Sequence, residues 1–313
     1  MPTSSTVTRK RLLNTLFVLC ALAMSALVAR HFASAGWPLH RANPWLVGAA
    51  ALILVGSYAA KAWGWQRLFR GEQRPAMLTL AAAGGAASVG GIALPGRCDE
   101  VLRVAVLRRC RRHRASIGAI VLSLFVMGLL DSVALTPFAS VAAGVSHVDG
   151  WLEAGLIVVA VAGVGAAGVI LGLPRLARLR WVARFRVAGW VAEHAAAPRE
   201  AACAWLGVAM SWGLRAVSVF LLLAALGLGG DFALALAFLC ASSASAVLPV
   251  APAGAATQAG AGAAILIASG VHTEQAIAFG IAAQALVIAV GAVCVMAMGV
   301  WHAHGRLAPA FSR

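Results

Sequence analysis

Six stretches of this chain stay apolar for about 20 residues or more, the length a helix needs to cross a bilayer. They are 12–33, 45–63, 115–145, 152–173, 201–228 and 274–300. Two further apolar stretches, 76–95 and 231–270, are interrupted by Gly and Pro. Proline lacks an N–H, and glycine costs stability in a helix interior, so both strain a continuous span. Backbone left unpaired at membrane depth is tolerated only where protein buries it or a polar cavity lines it. These two stretches are therefore expected to be re-entrant, broken segments. The first long stretch follows Arg9-Lys10-Arg11 and precedes Ala33-Ser34-Ala35, which mimics a leader cleavage site. Its apolar run is long for a leader, and the expectation is a retained first span.

Composition narrows the class. Of the 313 residues, 62% are hydrophobic and 11% charged, with a mean hydropathy of +0.89. A soluble domain carries about 25% charged residues, so a water-soluble enzyme and a disordered chain are both excluded. The expected fold is an all-α polytopic membrane protein, with about six full transmembrane helices plus two re-entrant segments, forming one domain over 1–313.

The net charge of +15 invites a nucleic-acid reading until the basic residues are placed. With a cytoplasmic N-terminus, the inside loops hold Arg9, Lys10 and Arg11, then Lys61, Arg67, Arg70 and Arg74. They also hold seven arginines between Arg97 and Arg114, six between Arg175 and Arg199, and Arg306 and Arg313. That places 22 of the 25 basic residues on one side, as the positive-inside rule requires. The assignment holds only if 76–95 enters and leaves on the cytoplasmic side. Both termini are then cytoplasmic. The runs 108–114 and 175–186, the latter interleaved with Trp181 and Phe185, read as anchors on anionic lipid, each surface arginine contributing about 1 kcal/mol. No nucleic-acid partner is expected.

The same topology contains a repeat. Span, span, re-entrant segment and span occur in order over 12–145 and again, inverted, over 152–300. Inverted repeats with broken helices mark transporter folds, and the breaks point to the substrate site. Leu94-Pro95-Gly96 and Leu248-Pro249 occupy corresponding places.

Chemistry concentrates in few residues. After Pro95 and Gly96 a helix is expected to start near Arg97. There Arg97, Glu100 and Arg103 are spaced i, i+3, i+6, with Asp99 four before Arg103. Such spacings allow ion pairs along one side, and paired arginines suit an anionic headgroup because guanidinium grips phosphate with two bonds. Solvated interfacial charges are the plain alternative. Two ionisable residues fall within spans, Asp131 and Arg215. A charge at the bilayer centre costs at least about 2.5–3.5 kcal/mol and so faces a cavity or a partner. A polar path and a structural Asp131–Arg215 pair are equally compatible with the sequence. Ser242, Ser243, Ser245, Thr257 and Gln258 add uncharged polarity to the second broken stretch, with helix packing as the alternative. Gly163, Gly165, Gly168 and Gly172 are expected to serve close packing of their span. The six cysteines form no ligand-spaced set, and no HExxH, nucleophile–base pair or phosphate loop occurs. No metal site, no cofactor and no enzymatic activity are expected.

These features resemble the lysylphosphatidylglycerol synthase transmembrane-region family, also called flippase-like domain proteins. The family shows a Pro-x-Arg-x-Gly-Glu-x-x-Arg stretch, matched here by Pro95, Arg97, Glu100 and Arg103, with Asp99 in place of the glycine. A Glu-Arg-x-x-Asp element is matched only at Asp131, since Met127 and Gly128 occupy the charged positions. A Pro-x-x-Pro-Gly-Gly-x-Gly-x-x-Glu segment is matched at Pro249, Pro252 and Gly254 and departs at Ala253, Ala256 and Ala259. The resemblance implies two inverted repeats with opposed re-entrant segments and handling of lipids by a divergent member. The synthases carry aminoacyl transfer in a separate soluble domain, for which no room is expected beyond the last span. The expected function is translocation of a polar-headgroup lipid in the cytoplasmic membrane, with membrane lipids and their anionic headgroups as partners. Arg97 and Arg103 would hold the headgroup, Glu100 would orient them, and Pro95, Pro249, Pro252, Gly254 and Gln258 would line the path. Asp131 and Arg215 would provide polarity at its middle. The competing expectation is a non-transporting partner that presents lipid intermediates to a separate lipid- or glycan-biosynthetic enzyme.

Overall fold

A computed structural model describes residues 42–69, 74–93, 98–109, 115–145, 151–176, 198–245 and 254–307, with isolated residues 30, 34 and 71. The expected span 12–33, the turn residues Pro95, Arg97, Pro249 and Pro252, and most of both basic runs lie outside them. Among the described residues the fold is all helical: α1 (Pro44–Gln66), α2 (Met77–Ala93), α3 (Cys98–Arg109), α4 (Ile117–Val145), α5 (Trp151–Leu176), α6 (Pro198–Ala225), α7 (Phe232–Ser245), α8 (Gly254–Ala268) and α9 (Thr273–Leu307). Four of these, α1, α4, α6 and α9, are long and apolar enough to cross a membrane. The expected span 152–173 corresponds to α5, whose apolar stretch Ala154–Ile170 is shorter.

Local chemistry sets the helix ends. Asn43 caps α1, its side chain accepting from the Trp45 and Leu46 N–H groups, with Pro44 in the first turn. Asn43→Ala is expected to cost about 1 kcal/mol, the usual value of such a cap, measurable as a lowered melting temperature. Ser116 and Asp231 accept from the Ala119 and Ala233 N–H groups at the starts of α4 and α7. The helices α6 and α8 close alike. Gly227 (φ 73°) and Gly270 (φ 90°) turn left-handed, and the next residues, Leu228 and Val271, donate to Leu223 O and Leu266 O at 3.0 Å. Only glycine takes that conformation without strain.

The centre of the fold is an antiparallel seam between α1 and α6. It is built on small residues spaced by seven, which keeps them on one face of each helix. Asn43 N–H donates to Ala225 O at 2.9 Å, Ser218 Oγ donates to Ala50 O at 2.9 Å, and the Ser57 and Ser211 hydroxyls bond at 3.0 Å. Gly64 completes the series against Ala204 O, which a Cβ there would approach to 2.7 Å. Without bulky side chains the two backbones come close enough for hydroxyls to cross-link them, the usual arrangement between membrane helices.

The remaining helices pack around this seam. Helix α2 packs on α3, α1 and α9, while α7 packs on α8, α6 and α4. Gly84, Gly85 and Gly90 do not interrupt α2, which is continuous to Ala93, and the expected turn at Leu94-Pro95-Gly96 lies outside the described residues. Gly85 instead meets Gly291 of α9 backbone to backbone, where a Cβ would collide with Gly291 O. Within 231–270 the described helices are α7 and α8, and the expected break at Pro249 and Pro252 also lies outside the described residues. Of the α5 glycines, Gly163 packs against Ser132 and Thr136 of α4, whereas Gly165 and Gly168 have open space beside them; Gly172 lies outside the described side chains. Large apolar residues face outward on α4 (Phe125), α5 (Val158, Val161) and α9 (Met296), as a lipid-facing surface requires.

Candidate functional site

Three helices bring charged groups together within their apolar lengths. Asp131 is the central residue of the 29-residue α4, and Trp212 sits at the middle of the 28-residue α6. Lys61 lies five residues before the end of α1, roughly 7.5 Å along the axis from it at 1.5 Å per residue. Lys61 Nζ donates to both carboxylate oxygens of Asp131 at 2.8 Å. Trp212 Nε1 donates to Asp131 Oδ1 at 2.9 Å. The carboxylate thus has a cation and two kinds of donor, which offsets its removal from water.

The sequence places Lys61 among the cytoplasmic loop charges. The structure corrects this: Lys61 belongs to a span and is the partner of Asp131. It also replaces the expected Asp131–Arg215 pair. Arg215 Nε donates to Ser57 Oγ at 3.2 Å, and its guanidinium lies 5.7 Å from the Tyr58 ring centre and 5.1 Å from that of Trp212. Lys61 Nζ lies 5.6 Å from the Trp212 ring centre.

The arrangement has a sequence counterpart that hydropathy alone does not display. Ser57-Tyr58-Ala59-Ala60-Lys61 and Ser211-Trp212-Gly213-Leu214-Arg215 share one pattern, Ser-aromatic-x-x-cation. On a helix, positions i and i+4 lie on one face, so each motif presents a hydroxyl and a cation together. The antiparallel seam apposes the two motifs at their serines. Each cation then reaches across to the aromatic ring of the opposite motif, Lys61 to Trp212 and Arg215 to Tyr58, at nearly equal distances. Tyr58 extends the network to α2 and α9, its hydroxyl bonding Ser88 Oγ at 2.7 Å and donating to Val287 O at 3.5 Å. Trp65 Nε1 donates to Ser123 Oγ at 2.9 Å, tying α1 to α4 beside the site.

Of the motif after the first break, Arg103 pairs with Asp99 at 3.5 Å, the expected i, i+4 contact. Glu100 lies in the first turn of α3. Gly254 opens α8, and Gln258 accepts a bond at 3.3 Å from Gln284 of α9. Ser242 Oγ donates to Gln258 O at 3.0 Å, while Ser243 and Ser245 donate to carbonyls of their own helix. Of the three, Ser242 alone ties α7 to α8. A second charged group lies at the opposite end of α6 from the chain turn at Gly227: Glu200 takes Arg74 at 3.3 Å and Arg67 at 3.6 Å.

Long apolar helices carrying a paired charge at mid-length define a multi-pass membrane protein with a polar interior site. Residues 12–294 match the lysylphosphatidylglycerol synthase TM region family, and the chain belongs to that family. No curated protein and no solved structure matches it.

Proposed function

We propose that this protein translocates polar-headgroup lipids across the cytoplasmic membrane without catalysing a covalent reaction. The observation that carries this reading is the Lys61–Asp131–Arg215 cluster inside membrane-crossing helices, with Asp131 at the centre of its own. Ionisable groups at that depth are expensive and normally mark a substrate pathway. The family itself is a membrane region associated with lipid synthesis, which accords with a lipid as cargo.

The reading includes two inverted repeats, supported by how the helices choose partners. Exchanging α1 with α6, α2 with α7, α3 with α8 and α4 with α9 maps the stronger observed packings among these helices onto observed packings, though not the weaker α2–α8 and α6–α9 contacts. The α2–α9 contact becomes α7–α4, and α4–α6 becomes α9–α1. The antiparallel α1–α6 pair, with like motifs meeting at Ser57 and Ser211, lies on the implied axis. The pairs α2–α3 and α7–α8 are then the two opposed re-entrant hairpins, and rocking of one repeat against the other exposes the cluster to each side in turn. The basic loops place both termini in the cytoplasm.

The test is translocation in proteoliposomes, with fluorescent phospholipids of several headgroups followed by dithionite quenching. The expected result is loss of inner-leaflet fluorescence faster than in protein-free liposomes. Equal rates across all headgroups, with and without a proton gradient, overturn the reading. Retained lipid binding in that case favours presentation of lipids to a separate biosynthetic enzyme.

A further inference from the structure

The two cations of the paired motifs are not treated alike. Lys61 has a carboxylate from α4, the helix packed beside α1 and α6. Arg215 has none among the described residues. Its Nε uses Ser57, its planar face lies against Tyr58 and Trp212, and its two terminal nitrogens have no hydrogen-bond or ion-pair partner among the described residues. The helices packed on α6 are α1, α4, α7 and α9. Neither α1 nor α7 contains an acid. The carboxylate of α4 is already held by Lys61, and the acid of α9, Glu274, lies in that helix's first turn. The helix that corresponds to α4 under the repeat exchange is α9. Where Asp131 approaches Trp212, α9 offers Tyr58 only a backbone carbonyl, Val287 O. One half of the site therefore carries its own anion, and the other half leaves that place open.

We infer that Arg215 is a binding group for a phosphate oxyanion of single negative charge, presented as the phosphodiester of a lipid headgroup. The inference rests on the lipid-handling reading and names the atoms that hold the cargo. The chemistry follows from the geometry. Two aromatic faces and one hydroxyl fix the guanidinium plane, and the terminal N–H fork, without a partner among the described residues, suits the bidentate binding of phosphate. One uncompensated cation balances one negative charge, as on a phosphodiester. Lys61 lies against the same Trp212 ring but brings its own carboxylate, Asp131, so it adds field without adding net charge. The predicted headgroup arginines after Pro95 then guide a lipid toward Arg215 and do not hold it at mid-depth.

Binding, measured separately from transport, tests this. The full chain in detergent is titrated by calorimetry with short-chain phosphatidylglycerol, with a neutral short-chain diacylglycerol glycolipid and with inorganic phosphate. The inference expects saturable binding of the phosphatidylglycerol, weakened about tenfold or more in Arg215→Gln, the loss expected for charge-assisted bonds to phosphate. Arg215→Lys, which keeps the charge and lacks the fork, is expected to bind several-fold more weakly than wild type. It serves as the readout should Arg215→Gln not fold. Wild-type affinity for phosphatidylglycerol in folded Arg215→Gln, or in Arg215→Lys, overturns the inference. Equal loss of glycolipid binding in either variant also overturns it, because the effect is then not on the phosphate. Inorganic phosphate bound as tightly as the lipid overturns the lipid source. If binding depends on Arg215 while proteoliposomes show no translocation, the transport reading fails and this inference stands.

Discussion

Lys61→Met is expected to destabilise the protein by about 3–5 kcal/mol, the usual cost of leaving a buried charge without its partner. The side chains of Lys61 and Asp131 are each 24% exposed, so the value should fall toward the lower end. Methionine fills much the same volume, so packing beside Trp212 is largely kept, and the loss measures charge compensation. Asp131 then retains only the Trp212 N–H. Asp131→Leu alone strands Lys61 in the same way, against the Trp212 ring that also carries the like charge of Arg215. The double variant Lys61→Met/Asp131→Leu is expected to recover most of the loss, because removing both charges also removes both desolvation costs. Thermal unfolding of the four proteins in one detergent gives the coupling directly. Additive losses would show that the two residues do not act as a pair.

Gly207→Val is expected to be strongly disruptive of the α1–α6 seam. A Cβ at Gly207 stands 2.7 Å from Gly64 Cα, 2.8 Å from Gly64 N and 2.9 Å from Ala60 O. These are backbone atoms, which no rotamer change can move aside. The two helices must separate, and the cost is at or above the roughly 1–3 kcal/mol of ordinary overpacking. Ser57 and Ser211 lie one to two turns away on the same seam, so separation also stretches their bond and the Arg215–Ser57 contact. Reduced lipid binding should therefore accompany the fall in melting temperature. Gly213→Ala, on the same helix, is the internal control. Its Cβ meets open space, and alanine is the better helix former by up to about 1 kcal/mol. Unchanged or raised stability is expected there; a loss like that of Gly207→Val would show that α6 tolerates no change at all and that the seam is not special.

The class of fold was legible because burial in lipid is a property of composition. Runs of about 20 apolar residues have few ways to satisfy their backbone other than as helices. The stretches 45–63, 115–145, 201–228 and 274–300 appear as α1, α4, α6 and α9. Glycines resemble breakers in a sequence, yet α2 runs unbroken through Gly84, Gly85 and Gly90, and Gly85 serves the close approach to α9. The i, i+4 pair Asp99–Arg103 followed from spacing, being local.

Asp131 and Arg215 could be singled out for their depth, but not their partners. Lys61 lies 70 residues from Asp131 and near a run of basic loop residues, so a count of charge by segment assigns it to the surface. Only the side-by-side packing of α1, α4 and α6 decides that its ammonium ends on a carboxylate. The repeated Ser-aromatic-x-x-cation pattern was present in the sequence throughout, yet short polar motifs gain meaning only when two helices bring them face to face. Sequence by itself determined that this is a helical membrane protein of its family, because the solvent acts on each segment separately. Tertiary structure decided which charges are compensated and which is left open, because pairing in a low-dielectric interior depends on a few ångströms between segments far apart in the chain.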